Sequence, residues 1–182
     1  MVSFFVKRAI DAFERRWGYD GSYMREILVE AGLGAILPLD ALGKVSRYRR
    51  GVPASVYYAA KVTASLAADC GPCAQLVVSM AEADGVDPAL LRTLVASDRD
   101  ALGPDERLGY DLARATLAHE NADEIRSAIL ARWGRRGVVS LAYALVAAQA
   151  FPTFKYAAGY ARACTRVRVN GAEFPRGEAL PA

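Results

Sequence analysis

The sequence predicts an all-α fold, a single-domain bundle of several helices, and three observations carry that expectation. Apolar residues recur at three- and four-residue spacing through most of the chain. The breaks between these stretches are short clusters of Gly, Pro, Asp and Asn. No run alternates apolar with polar residues over a strand's length, except 165–169. With 182 residues, 53% of them hydrophobic, and a mean hydropathy of +0.11, the chain can bury a sizeable core.

Taken in order, residues 4–16 and 23–31 are amphipathic stretches separated by Gly18-Tyr19-Asp20-Gly21, and Gly32-Leu33-Gly34 closes the second. Pro53 opens a long helix whose Ala-rich surface, with Ala60, Ala64 and Ala68, permits close helix approach. Asp87-Pro88 is a cap followed by a first-turn proline, starting a helix over 89–96. Pro104 starts another that runs to about His119. Asn121 caps 122–133, and Gly134 ends it. A helix over 136–150 then meets Pro152, which should kink or restart it before 153–163. The organisation expected is an N-terminal helical extension over 1–50, a core over 53–164 and a mostly polar tail over 165–182.

Charge argues against a nucleic-acid partner. The net charge is +3 with a pI near 8.8, but 20 acidic residues are spread among 23 basic ones. The two basic clusters, Arg47-Tyr48-Arg49-Arg50 and Arg132-Trp133-Gly134-Arg135-Arg136, sit where helices should end and cations offset the dipole. No membrane partner is expected either: the longest apolar stretch, 138–151, includes Ser140, Tyr143 and Gln149 and is shorter than the roughly 20 residues needed to span a bilayer. The opening residues reach Lys7-Arg8 after a brief apolar run, unlike a secretory signal, so the expected location is cytoplasmic.

In that reducing setting the stretch Asp69-Cys70-Gly71-Pro72-Cys73 stands out. Pro72 suits a first helical turn, which puts Cys73 at a helix start where unpaired amides and the dipole stabilise a thiolate. The Gly-Pro insert favours a turn that brings both sulfurs within disulfide reach. On the residues alone three readings stay open: a redox pair, part of a metal site, or two small apolar residues beside a turn. Tyr58, Lys61 and Asp69 are the supporting candidates, each set against a plain structural role: a packed aromatic, a lysine stem lying on apolar surface, a helix-terminal carboxylate. Cys70, Cys73, Cys164 and His119 would together supply a Cys3His zinc set. Arg162, Arg166 and Arg168 suggest an anion-binding rim, and Tyr156 and Tyr160 a helix interface.

The long Ala-rich helix, Ala67-Ala68-Asp69-Cys70-Gly71-Pro72-Cys73, the apolar helix after it and Gly85-Val86-Asp87-Pro88 resemble the carboxymuconolactone decarboxylase and alkylhydroperoxidase D superfamily over 53–96. The resemblance implies a cofactor-free and metal-free dithiol oxidoreductase that forms symmetric trimers or hexamers. It would act on a peroxide or disulfide and be restored by an external thiol or lipoyl-type donor. Cys70 and Cys73 match the family's redox pair, with Cys73 attacking and Cys70 resolving. Tyr58 and Val77 stand where that family carries its glutamate and histidine proton relay. Two other readings remain, a non-catalytic helical oligomer with a decayed redox site and the Cys3His zinc protein. Phe4, Phe5, Ile10 and Phe13 on the first helix are the residues expected to need covering by assembly.

Overall fold

The computed structural model describes residues 2–163 and 165–177, which form eight helices and one two-stranded sheet. The all-α expectation is met. The chain divides into two compact units, Met1–Lys44 and Val45–Ala182.

The first unit holds α1 (Val2–Trp17), α2 (Ser22–Glu30) and most of α3 (Leu33–Val45). Gly18, at φ +59°, ends α1, as its place in the sequence suggests. Arg25 of α2 reaches back to both Asp11 and Glu14, and the Gly21 amide donates to Glu14 Oε1 at 2.9 Å. Phe13, Tyr19 and Tyr23 stack edge to face beside that ion group. Helix α3 was not expected. Its run Leu33-Gly34-Ala35-Ile36-Leu37-Pro38-Leu39 is apolar on nearly every side, so no 3.6-residue stripe marks it, and Pro38 reads as a breaker. Pro38 lies within the helix all the same, itself exposed, in a stretch whose Ile36 and Leu39 are buried.

The second unit is built around α4 (Ala54–Ala67). Every residue from Val56 to Leu66 is buried, because α5 (Gly71–Ala83), α6 (Pro88–Val95), α7 (Pro104–Leu117) and α8 (Asp123–Ala157) all pack against it. Small residues make this possible. Gly109 of α7 lies so close to α4 that a Cβ added there would stand 2.4 Å from the Val56 carbonyl oxygen. The predicted cap at Asp87 holds, its side chain accepting from the Ala89 amide at 2.8 Å; Asn121 accepts from the Asp123 amide at 2.8 Å, but the N-cap of α8 is the next residue, Ala122.

Two expectations about the C-terminal half are corrected. Gly134 (φ +66°, ψ −174°) does interrupt the helix where its end was expected, so α8 is two helical segments joined at a kink, but Pro152 is accommodated inside the second segment, which ends at Ala157, and 158–163 is not helical. Of the described helices α8 alone is long and apolar enough to cross a membrane. Its Ile129, Leu141, Ala144, Leu145 and Ala148 are instead buried in the same core as α4. The stretch expected as a polar tail forms β1 (Arg166–Val169) and β2 (Ala172–Pro175), antiparallel, with Val169 opposite Ala172. The sequence signal for this hairpin is Asn170-Gly171, whose φ values of +49° and +77° are those a two-residue primed turn demands. Val167 and Val169 are buried against α5 and α6, and Arg166 and Arg168 face outward.

Candidate active site

The joint between α4 and α5 is made by one residue in the left-handed region, Asp69 at φ +51°, which an Asp tolerates better than most. It turns the chain so that Cys70 becomes the N-cap of α5, with Gly71 and Pro72 in the first turn and Cys73 following. Cys70 and Cys73 are joined as a disulfide, their Cα atoms 5.2 Å apart. Cys70 is fully buried and Cys73 retains 6% exposure.

The cysteines are enclosed from the far end of the chain. The Gly71 amide donates to the Arg162 carbonyl at 2.9 Å, and the Tyr156 hydroxyl to the Asp69 carbonyl at 3.0 Å. Arg176, with only 10% of its side chain exposed, forms an ion pair with the Asp69 carboxylate. Along α5, Gln75 exchanges hydrogen bonds with the backbone of Arg168 (3.0 and 2.7 Å), and Glu82 accepts from the Asn170 amide. The hairpin is thereby fastened over the helix that carries the cysteines. Sequence reasoning missed Arg176 and Tyr156 in this role, since each meets Asp69 only through long-range folding. Of the arginines read as a rim, Arg166 faces Glu173 at 3.5 Å.

Asp69 therefore belongs to the cysteine site, whereas Tyr58 and Lys61 form a second cluster. The Tyr58 hydroxyl donates to Asp84 at 2.9 Å, and Asp84 caps the opposite end of α5, about 16 Å along the helix from Cys73. The Lys61 ammonium donates to the Ser46 carbonyl and hydroxyl, both at 2.8 Å, and lies over the rings of Tyr57 and Tyr58 at 5.4 and 5.8 Å. Arg49 reaches Asp84 at 3.6 Å. Val77, one turn beyond Cys73, is part of the apolar core.

Among the described residues no group of three or more His, Cys, Asp and Glu is placed to hold a metal ion. His119 is exposed in the turn after α7, at φ +56°. Cys164, the remaining member of the zinc set, lies outside the described residues.

The second cluster has a consequence for stability. Burial pulls the Lys61 ammonium down from 10.5 to about 8, against the Asp84 carboxylate, which favours the charged form. Folded Lys61 thus gives up its proton at a lower pH than the unfolded chain does. Between about 8 and 10.5 the unfolded state holds more protons, so stability should rise with pH across that window, by up to roughly 3 kcal/mol. Burial also pushes Tyr57 up to about 12 and raises Tyr58, so above about pH 10 the unfolded chain ionises these tyrosines first and the slope reverses. Urea midpoints measured across this range are expected to peak near pH 10, and Lys61→Met should flatten the rise.

No protein-family model matches the chain, and neither curated proteins nor solved structures give a significant match.

Proposed function

We propose that the protein is a cytoplasmic dithiol oxidoreductase that cycles the Cys70–Cys73 disulfide, reducing a hydroperoxide or a disulfide substrate at the expense of an external dithiol. The observation that carries this reading is the pairing of the two cysteines across a Gly-Pro turn at the start of α5. The helix N-terminus there favours a thiolate. The residual exposure of Cys73, against none at Cys70, favours Cys73 as the attacking sulfur.

In the peroxide reaction the Cys73 thiolate attacks the outer oxygen. The O–O bond breaks, the alcohol leaves with a proton, and a sulfenic acid remains. The Cys70 thiol attacks that sulfur, the S–S bond forms and water departs. A donor dithiol of the lipoyl type then opens the disulfide through a mixed disulfide and leaves oxidised, returning two protons and two electrons to the pair. With Val77 in the core beyond Cys73 and Tyr58 committed to Asp84, neither relay position brings an acid–base group to the sulfurs. Turnover should therefore be slow.

The resemblance to the alkylhydroperoxidase D superfamily supports this reading and adds a trimeric or hexameric assembly to it. A coupled assay with dihydrolipoamide and an organic hydroperoxide tests the function. Turnover that depends on both reagents is the expected result. Absence of turnover with hydroperoxide and with disulfide acceptors alike would leave a buried structural disulfide in a helical scaffold.

A further inference from the structure

The first unit carries an exposed surface that the dithiol site does not use. Helix α1 packs through Val6, Ile10, Phe13 and Trp17, which recur at helical spacing and are buried or half-buried. Its other side is exposed and carries Phe4 and Phe5, at 58% and 64% exposure, among Lys7, Arg8, Arg15 and Arg16. The two rings meet edge to face at 5.9 Å, and the Arg8 guanidinium lies 5.7 Å from the Phe4 ring centre.

What decides the sign of this surface is the fate of the two carboxylates on α1. Arg25 bonds Glu14 and Asp11, each at 2.7 Å, and also holds Glu14 through its second oxygen. The hydrogen bond from Arg25 holds the Glu14 carboxyl below its ordinary range, so it stays ionised and occupied. Both acidic residues of α1 are spent on α2. Among the described residues, Lys7, Arg8, Arg15 and Arg16 have no carboxylate partner. The outward side of α1 therefore presents two adjacent aromatic rings near its start, with Lys7 and Arg8 beside them in sequence and Arg15 and Arg16 about 16 Å further along the helix, none of the four cations compensated by a carboxylate among the described residues.

We infer that α1 docks the protein on an anionic lipid surface, with Phe4 and Phe5 entering the headgroup–acyl boundary and Lys7, Arg8, Arg15 and Arg16 lying against acidic headgroups. Paired aromatics within a cluster of cations are the composition of a helix that lies in the interface plane. Each cation near an anionic leaflet contributes about fivefold to partitioning, and four together suffice for reversible attachment. A peripheral protein held this way carries its second unit along the membrane, and the inference does not depend on the chemistry at Cys70 and Cys73.

Flotation of the full chain with equimolar phosphatidylcholine–phosphatidylserine vesicles tests it. The protein is expected to float with these vesicles and not with pure phosphatidylcholine, and to be released by raised salt. Phe4→Ser with Phe5→Ser should lower the partition coefficient at least about tenfold. Arg8→Gln with Arg16→Gln should lower it by about twenty-five-fold. Circular dichroism of both doubles verifies that the helices remain. Failure to float at low salt, or flotation unchanged in both doubles, would overturn the inference. So would a concentration-dependent mass that the Phe double abolishes while no vesicle binding occurs, because the face would then join two copies of the chain.

Discussion

Cys73→Ser is expected to lower dithiol-dependent turnover at least roughly a thousandfold, since a serine hydroxyl replaces the only sulfur of the pair with any exposure. Cys70→Ser should behave differently. Its Cys73 still attacks, consumes one equivalent of hydroperoxide and stalls as a sulfenic acid that dimedone captures, because the resolving thiol is missing. The two variants separate the roles by the first turnover rather than by the steady state, where both are inactive. A burst in Cys73→Ser and none in Cys70→Ser would assign attack to Cys70. Either substitution removes a crosslink that spans a very short loop, worth about 2 kcal/mol in the chain-entropy treatment, so both proteins should stay folded.

The largest effect on stability is expected at Gly109. A methyl group there would stand 2.4 Å from the Val56 carbonyl oxygen and 3.2 Å from the Ala60 nitrogen, both backbone atoms of the buried helix α4, which have no rotamer through which to yield. Gly109→Ala has to push α7 away from α4, and Gly109→Val further still. Losses of about 2 kcal/mol for alanine and about 3 kcal/mol or more for valine are expected, with the gain in helix propensity offsetting about 1 kcal/mol of the clash. Chemical denaturation of the three proteins measures this. Equal midpoints would mean that α4 and α7 are not in close approach and that the helix stack around α4 is differently arranged.

These two positions show what a single sequence can and cannot reveal. The cysteine turn was legible because its information is local: Gly-Pro between two cysteines at a helix start specifies a short loop, and the structure pairs the sulfurs across it. The cap at Asp87 was legible for the same reason. Helix α3 was hidden because a run that is apolar on nearly every side carries no periodic stripe. The alternation over 165–169 marked β1, but the hairpin as a whole was overlooked because its strands hold four residues each, although Asn170-Gly171 advertised the turn. The surroundings of the cysteines were beyond local reading: Arg176 reaches Asp69 across 107 residues and Tyr156 reaches it across 87. The same limit explains Tyr58 and Lys61. Their helix is buried on every side, and nothing in their spacing from Cys70 says that α5 presents them with its far end, at Asp84.

The dithiol reading rests on one reversible bond, and one peptide reports it. Trypsin releases residues 62–92 as a single fragment carrying both Cys70 and Cys73, with Cys164 elsewhere as an internal reference. Protein reduced with dihydrolipoamide, then exposed to hydroperoxide or oxidised lipoamide and alkylated, should yield this fragment unalkylated and two hydrogens lighter than the dithiol form, and reduction should restore both alkylation sites. A fragment carrying two alkyl groups after saturating oxidant would contradict the redox assignment.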